Sequence, residues 1–137
     1  MKTALPALAL LLAACTDLGG GNNIARPAEP EADLVVTAVQ DGTRVSMRSG
    51  ETIEVRLEAN ETTPYRWEIE TAPAILSALG SRYAAEPGAE RRTGAGGTRI
   101  FRFEAASPGE GELRFAHDSA GSDREPVGRF TIHVTVR

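Results

Sequence analysis

Few side chains in this sequence could do chemistry: its 137 residues include two histidines, one cysteine and scattered carboxylates. His117, Asp118 and Ser119 have the residue types of a serine-hydrolase triad. Three adjacent residues on one loop, however, cannot bring nucleophile, base and orienting carboxylate into the required relay. His117 and His133 lie 16 positions apart with no cysteine beside them, which is a poor set of metal ligands. We therefore expect no catalytic residues, no metal and no cofactor.

The overall charge argues against nucleic acid as a partner. The chain carries 15 Lys and Arg against 19 Asp and Glu, a net charge of −4 at pH 7, whereas phosphate binding needs a cationic surface. Hydrophobic residues make up 41% and charged residues 25%, a balance typical of a globular protein. A chain of this length holds one folded domain with its tails, and we expect a monomer.

The one cysteine follows a segment typical of an export signal. Lys2 precedes an apolar run over residues 4–14, which is too short to cross a bilayer as a helix because ~20 residues are needed. The run ends in Leu12-Ala13-Ala14-Cys15 and resembles the lipobox of bacterial lipoproteins, whose cysteine is acylated and becomes the new N-terminus. The resemblance implies a signal peptide at residues 1–14, a lipid on Cys15 and anchoring in the bacterial cell envelope, at the outer membrane or the periplasmic face. The alternative is an ordinary signal peptide that is cleaved near a cysteine.

Residues 15–32 have the composition of a flexible tether. Three glycines and two asparagines occupy residues 19–23, and Pro27 and Pro30 follow. Glycine makes such a segment flexible, and proline stiffens it without folding it. Fully extended, the residues between Cys15 and the predicted domain reach roughly 55 Å.

Residues 33–137 show the alternation of apolar and polar residues that is typical of β-strands. Within residues 51–58, Ile53, Val55 and Leu57 alternate with polar residues. The same pattern recurs in residues 65–70, 101–105, 112–115 and 130–136. Seven or eight short strands separated by turn residues predict an immunoglobulin-like antiparallel β-sandwich. Residues 73–80 fit a helical turn as an alternative to a strand.

Two loop motifs in this strand pattern are the most specific feature of the sequence. The first combines a polar, turn-forming start with a proline and two aromatic residues. The second has three glycines in four positions, which permits close approaches that no other residue allows. They read Asn60-Glu61-Thr62-Thr63-Pro64-Tyr65-Arg66-Trp67 and Gly94-Ala95-Gly96-Gly97.

Together the motifs resemble the chagasin family of cysteine-protease inhibitors, whose first loop reads Asn-Pro-Thr-Thr-Gly-Tyr/Phe with Trp two residues later, and whose second reads Gly-x-Gly-Gly. The resemblance implies that three loops at one end of the sandwich enter the cleft of a papain-like cysteine protease, reversibly and without catalysis. Trp67 alternates with charged neighbours, which predicts a core position. The candidate protease-binding residues are Asn60, Thr62, Thr63, Pro64, Tyr65, Gly94, Gly96, Gly97, His117 and Asp118.

The chain departs from the family pattern at three places. Glu61 replaces a proline, and Pro64 replaces a glycine. The family's last loop carries Arg-Pro-Trp/Phe, whereas residues 116–121 of this chain contain no aromatic anchor, and His117 stands where we expect the arginine. A structural or adhesive envelope lipoprotein that uses the same fold without inhibiting a protease is therefore the alternative function.

Overall fold

The computed structural model describes residues 28–121 and 123–137. This part of the chain forms two four-stranded sheets, with strand orders β1-β3-β6-β5 (sheet A) and β2-β8-β7-β4 (sheet B). The predicted all-β immunoglobulin-like sandwich is confirmed. The strands are β1 (Leu34–Thr37), β2 (Arg44–Met47), β3 (Thr52–Ala59), β4 (Tyr65–Thr71), β5 (Leu76–Ala85), β6 (Gly97–Ala105), β7 (Gly109–Ser119) and β8 (Gly128–Val136).

The central strand pairs are antiparallel, as predicted, but one edge pair in each sheet is parallel. β1 runs parallel to β3, with Val36 beside Val55, and β2 runs parallel to β8, with Val45 beside Val134. Alternation cannot distinguish the two directions because side chains have a period of two residues in both kinds of ladder.

The core lies between the sheets and is built from the inward-facing residues of each strand. Phe115 on β7 is fully buried, and its ring lies 4.7 Å from that of Phe101 and 6.1 Å from that of Phe130, centroid to centroid. The residues predicted to share the inner face of β3, namely Ile53, Val55 and Leu57, are all buried. Interlocking of these side chains fixes the two sheets face to face.

Strands β4 and β5 form the edges on one side of the sandwich, and they are the least buried. The connection between them packs tightly, because a side chain at Gly111 would meet the Pro73 ring and one at Gly109 would meet Ile75. A strand begins at Leu76. The helical turn considered for residues 73–80 is therefore not formed.

A buried carboxylate, that of Glu54 on β3, lies on the outer face of sheet A. Glu54 is 3% exposed, and its carboxylate accepts hydrogen bonds from Arg56 at 2.8 Å and from Arg102 at 3.3 Å. Arg82 approaches the same carboxylate at 3.7 Å. Arg102 also donates to the Pro30 carbonyl at 2.6 Å. Residues just before β1 are thereby held against the sheet.

Three connections meet at one end of the sandwich. We call them loop A (residues 60–64), loop B (residues 86–96) and loop C (residues 120–127). Ala59, which precedes loop A, pairs with Gly97, which follows loop B. Tyr65, which follows loop A, pairs with Ser119, which precedes loop C. Loop A therefore lies beside loop B at the end of sheet A and beside loop C at the end of sheet B. Because loop A connects the two sheets, all three loops lie at the same end of the sandwich.

The predicted signal peptide, Cys15 and most of the predicted tether lie outside the described residues. Within the part of the chain that the structure describes, no helix is long and apolar enough to cross a membrane.

Candidate functional site

The Asn60 side chain joins loops A and B. Its Nδ2 donates to the Gly94 carbonyl at 3.0 Å, and its Oδ1 accepts from the Thr62 amide at 3.0 Å and from the Thr62 hydroxyl at 2.6 Å. The Asn60 carbonyl accepts from both the amide and the hydroxyl of Thr63, at 3.1 and 2.8 Å. This is the local hydrogen bonding that favours asparagine and threonine in turns, and it gives loop A a defined shape.

Gly94 and Gly97 of the second motif are required for different structural reasons. Gly94 has φ = +77°, and its carbonyl is the group that Asn60 binds. Gly97 is buried as the first residue of β6, and a side chain there would collide with the Tyr83 ring and the Ala84 carbonyl on β5. Gly94 therefore shapes loop B, whereas Gly97 allows the strands below it to pack.

Trp67 links the two sheets directly beneath the loops. Its indole N–H donates to the Glu58 carbonyl on β3 at 2.8 Å. The ring packs against the core but is only partly buried. Trp67, predicted to be a core residue, therefore lies at the edge of the core. Its face stacks on the His117 ring at 4.6 Å with an interplanar angle of 9°, and Tyr65 meets the same imidazole edge-on at 5.9 Å.

His117 and Asp118 lie on strand β7, which contradicts the prediction that they lie on a loop. β7 continues to Ser119 because it pairs with β4 on one side and with β8 on the other. The Asp118 carboxylate accepts from the Ser119 amide at 2.7 Å. The imidazole of His117 faces the aromatic residues of β4, and its burial there lowers its pKa.

Sequence reasoning missed Arg66, whose side chain binds backbone carbonyls in and beside loop A. The guanidinium donates to the carbonyls of Thr63, Tyr65 and Glu61, the last two at 2.8 and 3.1 Å. The available signal was an arginine two residues after the proline of the loop, because arginine can donate several hydrogen bonds from one plane. Glu61 in turn pairs with Arg99 on β6 at 3.4 Å.

The loop end combines exposed side chains with an open groove. Thr62 and Pro64 are exposed, and Tyr65 is 37% exposed. An open groove runs between loops A and B, with Tyr65, Glu58 and Glu86 among its lining residues. Within the described residues, no three His, Cys, Asp or Glu side chains converge to hold a metal ion.

The lowered pKa of His117 predicts that acidification destabilises the protein. In the pH range below about 6.5, where a histidine in an unfolded chain takes up a proton, the folded state resists protonation, so the unfolded state binds more protons. The free energy of unfolding therefore falls as the pH falls through this range. His117→Gln should remove this part of the pH dependence in urea unfolding. His133→Gln, on the exposed face of β8, is the control, and equal pH slopes in wild type and His117→Gln would contradict the burial argument.

Comparison with known proteins agrees with this geometry. Residues 46–136, from β2 to the end of β8, match the sequence profile of the chagasin family peptidase inhibitor I42. Amoebiasin-1 of Entamoeba histolytica is 24% identical over 104 residues, which cover 76% of this chain and 100% of that protein.

Solved structures show the same fold. The cysteine protease inhibitor EhICP2 from Entamoeba histolytica superposes with a TM-score of 0.69 at 20% identity, over 78% of this chain and 100% of that one. PbICP-C, solved in complex with falcipain-2, gives a TM-score of 0.51 at 15% identity, over 80% of this chain and 93% of that one. With a family match that extends over most of the sandwich, the chain belongs to the chagasin family, whose members are protease inhibitors and not enzymes.

Proposed function

We propose that the protein is a reversible inhibitor of papain-like cysteine proteases and that loops A, B and C enter the active-site cleft together. Family membership supports inhibition, and the complex of PbICP-C with falcipain-2 supports a cysteine protease as the partner. The observation that carries the proposal is the bond from Asn60 to the Gly94 carbonyl, which joins two exposed loops into one surface.

Prior ordering of the loops favours tight binding. Association is opposed by the entropy lost when loops and side chains become fixed, at about 0.5–1.5 kcal/mol for each immobilised side chain. In loop A, the side chains of Asn60, Thr62 and Thr63 already take part in internal hydrogen bonds. Less ordering is then left to occur when the protease binds.

The same internal bonds explain how loop A occupies a cleft without being cut. A bound substrate lies extended and offers its own backbone groups to the enzyme. In loop A, the Thr63 amide is bonded to Asn60 and the Thr63 carbonyl to Arg66. Pro64 has no backbone N–H to offer. The backbone at the tip is committed to the loop itself, and it does not adopt the form of a substrate.

Loop C contributes less than its counterpart in the family. It contains no tryptophan, tyrosine or phenylalanine, the kind of large residue that often dominates interface energy. Val127 is its main exposed apolar side chain, at 62% exposure, and its amide is fixed to the His117 carbonyl at 2.8 Å. Affinity then rests mainly on loops A and B.

Titration of papain with the purified full chain tests this function. Pro64→Glu should raise the inhibition constant roughly 30-fold or more, because it would place an unpaired charge in a desolvated interface. Pro64 is exposed at the tip, so unfolding should be unchanged. Pro108→Glu, in an exposed turn at the opposite end of the sandwich, is the matched control.

If the folded wild-type chain leaves papain and a cathepsin-L-type protease fully active at tens of micromolar, the proposed inhibition is wrong. The alternative, a non-inhibitory structural or adhesive sandwich, would then be preferred. Equal inhibition by wild type and Pro64→Glu would remove loop A from the interface instead.

We also propose that Cys15 carries a lipid that anchors the inhibitor in the bacterial cell envelope. The support is the apolar run that ends in Leu12-Ala13-Ala14-Cys15. In cells that export the full chain, Cys15→Ser should move the protein from the membrane fraction to the soluble fraction. Thr16→Ser, a change of similar size one residue later, should leave it in the membrane fraction. Membrane association that survives Cys15→Ser would contradict a lipid anchor at this residue.

A further inference from the structure

One guanidinium gathers three carbonyl groups of the segment around loop A. Arg66 lies on the outward side of β4, immediately after the segment it binds. Its Nη1 donates to the carbonyls of Thr63 and Tyr65, and its Nη2 donates to the carbonyl of Glu61. Alternate residues along the segment are thereby brought to one point, which no neutral side chain with a single donor could achieve.

Loop A needs such a cation because its carbonyl groups converge. In the part of the chain that the structure describes, the carbonyls of Glu61 and Thr63 accept from no backbone amide. Their negative ends point to the same region, and these dipoles repel one another unless a positive charge lies between them. The guanidinium supplies that charge in hydrogen bonds that are stronger than those of neutral donors.

A second arginine holds the same segment to the other sheet. The Glu61 carboxylate pairs with Arg99 at 3.4 Å, and Arg99 is itself placed by a bond to the Ser81 hydroxyl at 3.2 Å. Glu61 is therefore tied through its carbonyl to sheet B and through its carboxylate to sheet A. Glu61 and Pro64 are the two loop A positions at which the sequence departs from the chagasin motif.

We infer that Arg66 is a positioning residue for protease binding: it holds loop A in its binding shape without itself contacting the protease. This inference rests on the proposed inhibitory function. When only part of a population has the binding shape, apparent affinity falls by that fraction. Within this segment Asn60 bonds to the amides and hydroxyls of Thr62 and Thr63, whereas Arg66 bonds to the carbonyls. Loss of the Arg66 bonds should therefore release these carbonyls and lower the fraction of molecules in the binding shape.

The test compares Arg66→Met, Arg66→Lys and the control Arg44→Met in the full chain. Arg44 is exposed on β2, away from the loop end. Amide hydrogen exchange of the free protein, followed at Thr62 and Thr63, reports loop order, and titration of papain reports affinity. Arg66→Met should speed exchange at both amides and raise the inhibition constant, each about tenfold, with the melting temperature unchanged. Arg66→Lys should recover part of both effects because a lysine keeps the charge but lacks the planar fork.

Each result decides the inference. Unchanged exchange in Arg66→Met would show that Arg66 does not order the loop, and faster exchange with unchanged inhibition would show that the order does not matter for binding. Weaker inhibition with unchanged exchange would mark Arg66 as a direct protease contact. Any of the three overturns the inference. If the wild type inhibits no protease, the proposed function fails, whereas the exchange data still decide whether Arg66 orders the loop. If Arg66→Met does not fold, Arg66→Lys and Arg66→Gln supply the same two measurements.

Discussion

The crossing from sheet A to sheet B at residues 60–64 is the constraint on which the loop end of this protein depends. Packed sheets lie ~10 Å apart, and five extended residues reach only about 16–18 Å, so the crossing has little slack. Its backbone cannot form a ladder with either sheet. Asn60 at the start of the crossing and Arg66 just after it supply the missing partners, and Asn60 reaches on to Gly94 in loop B. The hydrogen bonds of Asn60 that order loop A therefore also hold loop B at Gly94.

The sandwich below supplies the rigid base that this crossing requires. Trp67 extends from β4 to a carbonyl of β3, so the ends of the two sheets are joined just under loop A. His117 fills the space beside the indole and brings β7 into the same cluster. The phenylalanines further down fix the distance between the sheets. Loops A and B project from strands that cannot easily shift relative to one another, which is the condition for a preformed binding surface.

Sequence reasoning predicted the faces of the strands well, because burial on one side of a sheet imposes a period of two residues. It could not give the parallel pairing of β1 with β3 and of β2 with β8, since the period is the same in both directions. It located loops A and B from Asn60 and the glycines, but it placed His117 on a loop. The polar residues at the end of β7 are typical of a loop, and their types do not reveal that β7 pairs there with both β4 and β8. Arg66 escaped notice because its role depends on where three carbonyls point, which residue types do not encode.

In the proposed function, loops A, B and C together form the surface that meets a cysteine protease. Amide chemical-shift mapping of the full chain during titration with papain tests it most directly. The shifts that change should be those of residues 60–65, 86–97 and 120–128, while the turns at the opposite end, residues 48–51 and 106–108, stay unchanged. Changes centred on that opposite end, or on the outer faces of the sheets, would contradict insertion of the loops into the cleft.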